Sequence, residues 1–161
     1  MSPNERIDLL HLYAELDAEI ADEKPRCDAS GRCCRFSEYG HTLFLSAIEA
    51  ELLFEREPES VGGECPFQIN GLCTARDRRP LGCRTYFCDQ KYAERMPEIS
   101  EAAIRRLKAL HDRWERAWDY RPLERFLVSP SVQPPAPSGP KNDLLIVAIG
   151  TSKLDSSRCG E

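Results

Sequence analysis

CDASGRCC at Cys27–Cys34 and CPFQINGLCTARDRRPLGCRTYFC at Cys65–Cys88 hold seven of the chain's eight cysteines: Cys27, Cys33, Cys34, Cys65, Cys73, Cys83 and Cys88. From Gly62 to Asp89, four cysteines, four glycines and two prolines interrupt any helical or strand period. This part is therefore predicted to be irregular backbone held by something other than a hydrogen-bond ladder. Metal ligation supplies such a constraint. Thiolate is the soft ligand that zinc and iron–sulfur clusters prefer, and a reducing compartment keeps thiols free to serve. The expected fold is mainly α: a small metal-stabilised single domain of about three helices, with irregular cysteine-rich loops and little strand.

Working outward, the flanking segments read as helices. Ser2, Pro3 and Glu5 form a start signal with a capping box, and Leu9, Tyr13, Leu16 and Ile20 make an apolar stripe that Ile7, Leu10 and Ala14 widen. Pro25 ends this helix. Thr42–Leu45 reads as extended, and a second capping box, Ser46 with Glu49, opens a helix that buries Ile48, Leu52 and Leu53 and stops by Pro58. A third helix is expected from Ser100 as its cap, with Ile99 and Ile104 as a hydrophobic staple. Its stripe is Ile104, Leu107, Leu110, Trp114 and Trp118. Residues 1–128 form the predicted domain. SPSVQPPAPSGP, from Ser129 to Pro140, reads as an extended linker, and 141–161 as a possible single strand followed by a disordered tail.

Composition narrows the function classes. A net charge of −5 and a pI near 5.3 argue against a general nucleic-acid or anionic-membrane binder. Arg105, Arg106, Lys108, Arg113 and Arg116 line one face of the third helix, where solvation and the helix dipole account for them. MSPNERIDLL has no basic segment leading into an apolar one, and the longest apolar run, Leu144–Ile149, is too short to span a bilayer. A cytoplasmic protein is expected, with a metal ion and a protein as its candidate partners, and neither nucleic acid nor membrane.

Ligand arithmetic leaves the metal open. Four thiolates satisfy one tetrahedral zinc or one four-iron cluster, so seven exceed one site and fall short of two. A binuclear zinc site, one centre plus three spare cysteines, and two sites completed by His41 or a carboxylate all remain possible. Adjacent side chains in extended backbone face opposite ways. Cys33 and Cys34 are therefore expected to serve different roles unless their loop curls tightly. Arg32, Arg35, Arg76, Arg78, Arg79 and Arg84 stand beside the cysteines and can neutralise thiolate charge, and Arg84 is singled out as cofactor-binding because it follows Cys83. His41 is more readily a hydrogen-bonded histidine than a ligand, His11 and His111 read as packing residues, and Cys159 as a free thiol.

From Arg26 to Cys88 these residues resemble the CxxCxxCC cysteine-cluster family, a zinc- or iron-chelating domain. CPF at Cys65, the later Cys73 and RP-x-x-CR-x-Y-x-C at Arg79–Cys88 carry the likeness. The signature's second cysteine is Ser30 here, giving CxxSxxCC. The resemblance implies metal binding by the seven cysteines and leaves the occupant of the Ser30 position open. A related cysteine-rich region occurs within flagellin lysine methylases, which adds an iron–sulfur accessory enzyme of protein modification to the alternatives. The remaining alternatives are a metal-stapled protein-interaction module and a disulfide-stapled one.

Overall fold

The computed structural model describes residues 1–58 and 65–127; the predicted linker 129–140 and the C-terminal segment 141–161 lie outside them. The chain is mainly α, and its two sheets, among the described residues, have two short strands each.

Helix α1, Pro3–Glu23, starts at the predicted capping box: Glu5 N–H donates to Ser2 Oγ at 3.3 Å, and Ser2 N–H to the Glu5 carboxylate at 2.5 Å. Lys24 closes it in the left-handed region, at φ 51°, immediately before Pro25. Its buried stripe is Leu9, Leu12, Tyr13, Leu16 and Ile20. Ile7, 63% exposed, and the exposed Ala14 do not widen it. At 100° per residue both lie about 140–160° around the helix from Leu9, on the solvent side.

Helix α2, Phe36–Tyr39, is a single turn, followed by strand β1, Phe44–Ser46, and helix α3, Ala47–Leu53. The second capping box is present, with Glu49 N–H to Ser46 Oγ at 3.3 Å and Ser46 N–H to Glu49 Oε2 at 2.8 Å. This helix ends at Leu53, well before Pro58, so the proline is not what stops it. Strands β2, Gln68–Ile69, and β3, Leu72–Cys73, form an antiparallel hairpin, and two more short helices follow: α4, Leu81–Thr85, and α5, Gln90–Ala93.

Helix α6 runs from Met96 to Arg113. It begins a turn earlier than the predicted Ser100 cap, because Pro97 sits in the first turn, where its missing N–H costs nothing. Trp114 is the C-cap residue and Trp118 lies beyond, so the helical stripe is Ile99, Ala103, Leu107 and His111, with both tryptophans packed against the same core from the loop. Strand β4, Tyr120–Pro122, returns to pair antiparallel with β1 (Leu45 opposite Arg121), and α7, Glu124–Leu127, ends the described chain.

Two apolar cores result. The larger joins Leu9, Leu16, Ile48, Leu52, Leu81, Ile99 and Leu107, packing α1, α3, α4 and α6 together. The smaller joins Leu43, Leu45, Ala50, Leu53, Phe67, Ala75 and Leu123 with Cys34 and Cys65. Helix α3 serves both. It presents Ile48 and Leu52 to one core, Ala50 and Leu53 to the other.

Candidate metal centre

Three pieces of chain meet over the smaller core. The first cysteine loop turns through Ala29 (φ 53°) and Gly31 (φ 71°) into a single 3-10 turn, Arg32–Cys34, closed by Cys34 N–H to Gly31 O at 3.1 Å. The β2–β3 hairpin reverses at Asn70 and Gly71, both at positive φ as a two-residue hairpin turn requires. It carries Cys73 on β3 and is tied to Cys65 by Gln68 N–H to Cys65 O at 3.1 Å. Helix α4 carries Cys83, and Cys88 follows before Asp89 caps α5.

Gly31 docks the loop on the hairpin. Its carbonyl accepts from Gln68 Nε2 at 2.7 Å. A Cβ at this position would overlap the Gly71 carbonyl and the Gln68 amide, in a backbone conformation that already favours glycine.

All seven cysteines within Cys27–Cys88 line one cavity of about 340 Å³, and they are not paired in disulfides. Cys34 and Cys65 are buried; Cys33, Cys73, Cys83 and Cys88 are half-buried; Cys27 is exposed. The tight turn satisfies the condition under which adjacent cysteines share a site: Cys33 and Cys34 Sγ atoms stand 4.0 Å apart. Thiolates sharing a tetrahedral zinc, with Zn–S near 2.3 Å, stand about 3.8 Å apart. Five thiols act on one another. A hydrogen bond from Cys34 brings the Cys33 thiol down to about 6, against burial and with help from Arg79 and Arg76. The same donation to Cys33 and Cys65 raises Cys34, and it lowers Cys65. Burial, reinforced by the neighbouring sulfurs, raises Cys73 and raises Cys83 strongly.

The sulfurs share a cavity wall and not a point. Among the described residues no three Cys, His, Asp or Glu side chains converge closely enough to hold a metal ion as they stand. A donor set of soft thiols with arginines beside them fits a thiolate-bound metal chemically.

The other sequence candidates fall in distinct places. Arg84 is 5% exposed and turned into the helical core, donating to Asp17 (2.5 Å), Arg79 O (2.8 Å) and Asp77 O (2.9 Å), with its guanidinium 4.1 Å from the Tyr13 ring centroid. Arg79 and Arg76 are the arginines that act on the thiols, a distinction sequence adjacency could not make. Ser30 lines the cavity, whereas His41 does not. His41 Nε2 meets the Cys33 carbonyl at 3.1 Å, and its ring stacks on Tyr86 with centroids 4.6 Å apart. His111 is fully buried, whereas His11 is exposed and pairs with Glu15 at 3.3 Å instead of packing. On α6, Arg106 pairs with Glu19, Arg113 with Asp8 and Arg105 with Glu101 on the same helix, and Arg116, beyond the end of α6, pairs with Glu5 and Glu51.

No helix among the described residues is long and apolar enough to cross a membrane. Cys159 lies outside the described residues. In comparisons with family models, with curated proteins and with solved structures, the chain finds no match.

Proposed function

We propose that the protein is a metal-binding protein whose cysteine cluster chelates zinc or an iron–sulfur centre. The observation that carries this reading is that three segments, 27–34, 65–73 and 83–88, deliver all seven of their cysteines to the wall of one cavity, not paired in disulfides. The CxxSxxCC, CPF and RP-x-x-CR-x-Y-x-C motifs point the same way. Cys33, Cys34, Cys65, Cys73 and Cys83 act on one another electrostatically, and Cys27 is the exposed member of the set. A metal bound here would cross-link the loop, the hairpin and α4, which few regular hydrogen bonds otherwise join.

The test is metal and acid-labile sulfide content, with a visible spectrum, on protein purified without oxygen. Iron and sulfide in near-equal amounts with brown colour assign an iron–sulfur centre; colourless protein with one or two zinc ions assigns zinc. Protein that takes up neither, even on reconstitution, overturns the reading. Cys65→Ser, Cys73→Ser and Cys83→Ser should each lose metal, and Cys159→Ser should retain it; equal content in all four would remove the cluster assignment.

A further inference from the structure

The cavity holds a second chemistry besides its thiols. Eleven of the described arginines form ion pairs: Arg6, Arg26, Arg35, Arg78, Arg84, Arg95, Arg105, Arg106, Arg113, Arg116 and Arg121. Arg32, Arg56, Arg76, Arg79 and Arg125 have no carboxylate partner among the described residues, and Arg32, Arg76 and Arg79 line the cysteine cavity. The two carboxylates on its wall are already engaged. Asp28 pairs with Arg26 at 2.9 Å, and Asp89 accepts from the backbone N–H groups of Arg26 (2.8 Å) and Lys91 (2.9 Å). Arg79 makes one long bond, Nη1 to Cys83 O at 3.4 Å, and its Nε is buried with no partner.

Charge compensation of thiolates does not use these groups fully. A guanidinium carries five donors in a planar fork, whereas sulfur is a weak acceptor, so thiolates take the charge and leave much of the donor capacity unmet. A planar or tetrahedral oxyanion matches the fork in bidentate fashion. The volume, about 340 Å³, lies within the range of small-molecule pockets and exceeds what one metal ion fills.

We propose that the cavity binds a small oxyanion-bearing ligand, a carboxylate or phosphate compound, held by Arg76 and Arg79 with Arg32 beside the thiols. This deepens the metal reading of the same cavity by naming a ligand class for it. The experiment is calorimetric titration of the purified protein, its metal content determined, at low ionic strength with inorganic phosphate and with malonate, chloride serving as the non-oxyanion control. Phosphate or malonate should bind where chloride does not; the tighter of the two identifies the headgroup class. Loss of a charged hydrogen bond should weaken binding at least about tenfold in Arg76→Gln and in Arg79→Gln, with no change in Arg125→Gln, which lies away from the cavity.

Absence of binding by both anions overturns the proposal, as does equal affinity in all variants. Metal loss in the variants at unchanged anion affinity overturns it too, because the arginines would then serve the thiolates alone. Should Arg79→Gln fail to fold, Arg76→Gln, at an exposed side chain, decides. Metal content measured on the same samples separates the two readings: metal present without anion binding sinks the ligand alone. Anion binding by protein that never takes metal sinks the metal alone.

Discussion

Glu49 is a carboxylate with no exposed surface, and it holds three elements at once. Beyond its capping bond to Ser46, it accepts from Tyr13 Oη on α1 at 3.1 Å and from the Leu81 N–H that opens α4 at 2.7 Å. Glu49→Ala would leave the buried Tyr13 hydroxyl and Leu81 N–H without an acceptor, and should cost about 3 kcal/mol or more in denaturant unfolding. A loss below about 1 kcal/mol would show that water replaces the carboxylate. His111 sets a pH dependence. Burial lowers its pKa, with the Arg116 charge acting in the same sense, while the Ala117 carbonyl, Asp112 and Glu5 oppose. The unfolded chain then takes up a proton near pH 6.5 that the folded chain refuses, so the ratio of folded to unfolded falls as pH drops below about 6.5. Melting temperature should decline from pH 7 toward pH 5, and His111→Gln should flatten that slope; an unchanged slope would assign it to other groups.

At the scale of elements, Gly31 is the joint between the first cysteine loop and the hairpin. Gly31→Ala alters no sulfur, yet it should displace Cys33 and Cys34 from Cys65 and Cys73 and lower bound metal to a fraction of wild type, measured by elemental analysis at matched folding. Full metal content in Gly31→Ala would mean that the loop is not positioned by this contact. The elements that could be read from sequence were those whose signals are local. Both capping boxes, Ser2 with Glu5 and Ser46 with Glu49, lie where reading placed them, because a cap depends on four residues and their own backbone. The α6 start was misplaced because Ser100 resembles a cap while Pro97, three residues earlier, fits the first turn equally well. The hairpin carried a usable sign in Asn70-Gly71 between Ile69 and Leu72, which the density of cysteines obscured.

For the whole molecule, the two cores differ in whether they contain the clustered cysteines. The helical core packs α1 against α6 without any of the seven clustered cysteines, whereas the smaller core contains Cys34 and Cys65. Chelation should therefore speed hydrogen exchange at 31–34 and 68–74 while the amides of α1 and α6 keep their protection; uniform loss would make the molecule one cooperative unit. Which residues face the sulfurs was not legible in the sequence. Arg84 follows Cys83 directly, yet one helical position swings its side chain into the opposite core, while Arg79, four residues before Cys83, comes round to the cavity. Convergence of 27–34 on 65–88 likewise depends on tertiary docking that no local spacing encodes. The same division bears on how the protein can be watched. Trp114 and Trp118, its two tryptophans, both pack on the helical core beside His111. The wavelength of their emission reports that half only, so an unshifted spectrum after treatment with a chelator means that the helices have survived and says nothing of the half that carries the cysteines.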